Sequence, residues 1–155
     1  MSFVVSGLSP EPFRPLFGLS DAALAEQGVI RRTVDVSPGF PCRVSLEDAA
    51  PGETVLLLNY EHQSADTPFR ARHAIFVRES AQDATVTEDE LPPVFEARIM
   101  SLRAFDEAGM MRTAAVAQGA ELKPAIERLL AEPEVAYLHA HYAGMGCYAA
   151  RIDRA

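Results

Sequence analysis

The run Thr54-Val55-Leu56-Leu57-Leu58-Asn59-Tyr60 constrains this chain more than any other stretch. Successive side chains of an extended strand point to opposite faces, so four large apolar residues in a row leave no face for water. A strand of this kind must be covered on both sides. Other elements line up around it. Phe3-Val4-Val5 ahead of Ser6-Gly7 reads as an edge strand and turn. Residues 20–27 start on a Ser N-cap and stop at Gly28, which predicts a short helix. Val29 to Val36 predicts a strand, broken by Pro38-Gly39-Phe40-Pro41, and Ser45 to Asp48 a capped single turn before Pro51-Gly52.

Further along, His62 to His73 reads as a polar loop, Ala74 to Arg78 as a strand, and the acidic stretch Ser80 to Pro93 as an exposed connection. Arg98 to Phe105 and Met110 to Ala117 form a hairpin around Gly109, and Pro124 to Glu132 forms a helix. Val135 to Tyr142 and Cys147 to Ile152 close the chain as a second hairpin. Strand follows strand, with two or three short helices and no internal repeat. The expectation is one α+β domain over residues 1–155, built mainly on antiparallel sheet.

Charge narrows the function classes. Twenty-two acidic residues against fourteen basic ones give a formal charge of −8. A nucleic acid or an anionic membrane surface is a poor partner for such a chain. The segment Met1 to Leu19 lacks the basic start and apolar run of a signal peptide, and no window is long enough to span a bilayer. Two cysteines, Cys42 and Cys147, make no disulfide framework, so reduced thiols and a cytoplasmic setting are expected. Thirteen of the fourteen basic residues are arginine. Coding bias accounts for that, as does a need for planar forks that grip carboxylate or phosphate.

Four groups of residues could carry chemistry. His139 and His141 lie two apart on a strand and so share a face, beside Tyr137, and His62 could add a third nitrogen ligand. Three imidazoles with an open position would suit zinc or iron. Cys42 stands next to Arg43, and Cys147 shortly before Arg151; a cationic neighbour or an adjacent histidine would make either thiol nucleophilic. Free cysteine more often packs as a small hydrophobe. Within the polar loop, Arg70 and Arg72 share a face if that end is extended, and could seat an anion. Surface ion pairs are the plainer account of them. No phosphate loop, dinucleotide fingerprint or nucleophile elbow is present, and Lys123 beside Pro124 is poorly placed for a Schiff base.

The stretches Pro41-Cys42-Arg43-Val44-Ser45-Leu46-Glu47-Asp48-Ala49, Pro51-Gly52-Glu53 and Leu56-Leu57-Leu58-Asn59-Tyr60-Glu61-His62-Gln63 together carry a resemblance. Pro68-Phe69-Arg70-Ala71, Ile75-Phe76-Val77-Arg78-Glu79, His139-Ala140-His141-Tyr142, Gly146-Cys147-Tyr148 and Arg151-Ile152-Asp153-Arg154 extend it. In these the chain resembles the bacterial domain-of-unknown-function family numbered twelve-oh-three. The resemblance implies a compact one-domain bacterial protein and brings no established activity, substrate or cofactor. From the residues themselves, the expectation is a small-molecule binding or enzymatic domain for an anionic metabolite. Its pocket would draw on Cys42, Arg43, Tyr60, His62, Arg70, Arg72, His139, His141 and Cys147. The rivals are a metal-binding domain using His62, His139 and His141, and a non-enzymatic homodimeric interaction module.

Overall fold

A computed structural model describes residues 2–155. Its strands are β1 (Phe3–Ser6), β2 (Ile30–Thr33), β3 (Thr54–Gln63), β4 (Ala71–Arg78), β5 (Val86–Glu88), β6 (Met100–Phe105), β7 (Met111–Ala117), β8 (Tyr137–Tyr142) and β9 (Tyr148–Arg154). The α-helices are α1 (Asp21–Glu26), α2 (Pro93–Glu96) and α3 (Leu122–Leu130). The fold is α+β with antiparallel sheets, as the pattern of elements predicts. Two sheets form, one of six strands in the order β5-β1-β9-β8-β6-β7 and one of three in the order β2-β3-β4. Among the described residues, no helix is long and apolar enough to cross a membrane.

The Leu-rich run behaves as its composition demands. It is the middle strand of the small sheet, with Leu56 and Leu58 packed among Phe13, Leu24, Val29, Ile75 and Val77 on one face. Val55 packs with Val34 and Ala49 on the other. The six-stranded sheet lays one face on α2 and α3, where Leu102, Leu138, Ile152, Val94, Ile126 and Leu130 form the main core. At α1, the Ser20 side chain accepts from Ala23 N and Gly28 takes φ +71°, so its start and stop signals act as predicted.

Several expectations change. β1 is an interior strand between β5 and β9, not an edge, because residues 86–88 of the acidic connection add an outer strand. The 45–48 stretch forms no helical turn: Leu46 adopts φ +54° and its side chain is fully buried in the main core. The His62–His73 loop is shorter than expected, since β3 runs to Gln63 and β4 begins at Ala71. His62 therefore belongs to a strand. It is the extra residue of a β-bulge, where Glu61 pairs Arg72 and Gln63 pairs Ala71. A second bulge at Ala149 lies in β9, between the pairs Ala140–Ala150 and His141–Tyr148.

Candidate metal centre

The two bulges build the site. Bulges bend a strand and re-aim its side chains. Along one face of β3, Leu56 and Leu58 are core, while Tyr60 and His62 reach toward the larger sheet. On β8, His139 and His141 share the face away from α3, as their spacing predicts, and are 4% and 1% exposed. With regular alternation, Ala149 would sit opposite His141. The extra residue instead turns Tyr148 onto the histidine face, where its ring stacks on His62 at 5.3 Å and meets His139 and His141 edge-on. The His62 and His141 rings meet edge to face at 4.9 Å. Gln63 Nε2 donates to Tyr137 Oη at 3.0 Å, which pins β3 against β8.

One ring nitrogen from each of His62, His139 and His141 lies within 4.8 Å of the others. Tetrahedral zinc with Zn–N near 2.0–2.1 Å needs nitrogens roughly 3.3 Å apart, so side-chain adjustments of about an ångström would close the set. The tautomer of His141 follows from its partner. Its Nδ1 lies 2.9 Å from Gly146 O, a carbonyl that can only accept, so Nδ1 carries the proton and Nε2 the lone pair. That Nε2 is buried with no hydrogen-bond partner, as are Nδ1 of His62 and Nδ1 of His139. Buried polar atoms are rarely left in this state.

Burial is the main cause of depressed histidine pKa values, to about 3 for His139 and His141 and about 4 for His62. The positive charge of Arg103 pushes all three the same way. At neutral pH the three imidazoles are therefore uncharged, the form that binds a metal. A histidine ligand typically donates its second N–H to a carbonyl or carboxylate, which is the role Gly146 O fills for His141.

The other sequence-derived residues are placed elsewhere. Cys42 is fully buried in the small-sheet core, and its Sγ accepts from Arg78 N and Ser45 N. Cys147 packs against the main core. Neither thiol belongs to the histidine group. Arg43 is buried, donating Nε to Tyr148 O and Nη1 to Pro41 O with its guanidinium over the Tyr142 ring, so its fork braces the fold. Arg70 is exposed and paired with Glu61, and Arg72, also exposed, donates to Asn59 Oδ1. Tyr60 borders the site, 6.5 Å from the Tyr148 ring. The nine residues thus do not gather in one hollow; the three histidines and Tyr60 do approach one another, in a packed seam between the sheets. Sequence reasoning missed Arg103, Ser101 and Tyr148. The signal for the first two was present, as the polar alternate positions of an otherwise apolar strand, Met100-Ser101-Leu102-Arg103-Ala104.

A family model described as "Protein of unknown function (DUF1203)" matches residues 39–154. The chain belongs to the DUF1203 family. The matched span holds β3 through β9, and with them every DUF1203 residue of the seam between the sheets. No curated protein and no solved structure matches the chain.

Proposed function

We propose that the protein is a metal-binding domain in which His62, His139 and His141 hold one divalent transition ion of the zinc class. The observation that carries this reading is the His141 imidazole. Its tautomer is set by a backbone carbonyl, its Nε2 lone pair is buried with no donor to meet it, and one nitrogen of each of the three neutral rings lies within 4.8 Å of the others. Imidazole suits zinc, iron, copper and nickel, and no thiolate or carboxylate joins the set among the described residues. Three neutral ligands leave the ion's charge uncompensated and a fourth position free for water or another ligand. An ion there would also tie β3 to β8, so binding would add to folding stability.

Elemental analysis of protein produced without a histidine tag, zinc-loaded and then desalted, tests the reading. One metal per chain is expected, lost in His139→Ala and in His141→Ala and retained in Arg70→Ala. Metal far below one per chain in the unaltered protein refutes it.

A further inference from the structure

The chain shields five of its arginines from full solvent exposure: Arg31, Arg43, Arg78, Arg98 and Arg103. Four have strong acceptors. Arg31 is held by Glu79 and Asp21, Arg78 by Glu53 and Glu47, Arg98 by Asp48, and Arg43 by two backbone carbonyls. Arg103 differs. Its one polar contact among the described residues is Nε to Ser101 Oγ at 3.4 Å, and no carboxylate pairs with it.

Its position gives that vacancy a meaning. On β6, Arg103 pairs with His139 and Ser101 with His141. Residues directly opposite in an antiparallel pair share a face, with Cβ atoms about 5 Å apart, so Arg103 and Ser101 flank the two histidines. Across β8, Arg151 also pairs with His139, but its guanidinium is bound by Asp153 and stacked on Tyr137. One cation beside the histidines is neutralised and the other is not. In a chain with eight excess acidic charges, a half-buried guanidinium without an acid partner has donors free for an anion from outside the chain.

We infer that Arg103 and Ser101 bind a small oxyanion, of the carboxylate or phosphate type, which completes the coordination of the ion held by the three histidines. This rests on the metal reading above. The ion supplies two positive charges and Arg103 a third, and the neutral imidazoles supply none in return. An oxyanion bridging the ion and the fork satisfies both, while Ser101 donates its hydroxyl proton to a free oxygen. The site would thus select anions over neutral ligands of similar size.

Cobalt(II)-loaded protein gives a visible spectrum that responds to the fourth ligand. Titration with inorganic phosphate, and separately with acetate, is expected to shift that spectrum saturably. In Arg103→Gln the dissociation constant should rise at least tenfold with cobalt stoichiometry unchanged; in Ser101→Ala it should rise by a smaller factor, which keeps a test available if Arg103→Gln misfolds. Full cobalt uptake with no anion response, or with equal responses in the altered and unaltered proteins, overturns the inference and leaves the metal centre standing. Failure to take up cobalt removes the metal centre and the inference together.

Discussion

Acid should unfold the metal-free protein through its histidines before its carboxylates contribute. Unfolded, each imidazole titrates near 6.5. Folded, His139 and His141 take up a proton only near pH 3, and His62 near 4, chiefly because burial disfavours the cation. Between these values the unfolded chain holds protons that the folded chain lacks. The stabilisation is therefore complete above about pH 6.5 and drains away as pH falls below it. Each histidine costs about 1.4 kcal/mol per pH unit. His139 and His141 together remove about 3 kcal/mol per unit, and His62, partly screened by water, removes less. A domain is held by roughly 5–15 kcal/mol, so about two units of acidification are enough to consume the stability of one at the lower end of that range. Urea unfolding followed by circular dichroism, in a chelator and at half-unit steps from pH 7.5 to 4, measures the slope. Between about pH 6.5 and 5 the paired acids, such as Glu79 held near 2 by Arg31, stay ionised and add little. His139→Gln should lower the slope in that window by about 1.4 kcal/mol per unit. A flat free energy from pH 6.5 to 5 would refute the claim that these rings are buried and neutral.

Other outcomes follow from the same geometry. Zinc at a hundredfold excess over its dissociation constant should stabilise the protein by about 2.7 kcal/mol in thermal unfolding, and chelator should reverse the gain. Arg43→Met leaves two buried carbonyl acceptors without their guanidinium donor and should cost about 2–4 kcal/mol in urea unfolding, at roughly 1–3 kcal/mol per unsatisfied group with partial relaxation. Gly109→Ala should cost more than about 1 kcal/mol, since Gly109 sits at φ +83° and an added Cβ would fall 2.3 Å from that of Ala65. Arg70→Ala, which breaks an exposed pair, should change stability by less than about 1 kcal/mol. Native protein should leave Cys42 unmodified by a thiol reagent that labels it fully in urea, because the side chain has no exposed surface.

Local chemistry made much of the fold legible. The Leu56-Leu58 run, the Ser20 cap, the Gly109 turn and the apolar face of α3 each act where their residue types require. The strand at Val86–Glu88 stayed hidden because it is three residues long and held by pairing with β1, which local composition does not encode. His139 and His141 share a face through period-two spacing alone. Their meeting with His62 depends on one sheet packing against another, and the approach of Tyr148 depends on the extra residue Ala149. Bulges are set by tertiary fit, so counting by twos along β9 fails at that residue. Cys42 and Arg43 drew attention as reactive types. Burial and two carbonyl partners turn the pair into internal bracing, and neither could be read from neighbours in sequence.

The apolar interiors of the two sheets are separate, one built around α3 and the other around β3 and β4, and between β3 and β8 the contacts are imidazole, phenol and amide. Leu46, ahead of β3, does reach into the main core, but at the seam between β3 and β8 the contact is carried by polar rings and an amide. An ion bridging β3 and β8 would act as a rivet between them. Loaded, the seam should protect the backbone amides of β3 and β8 from hydrogen exchange more strongly than when it is depleted.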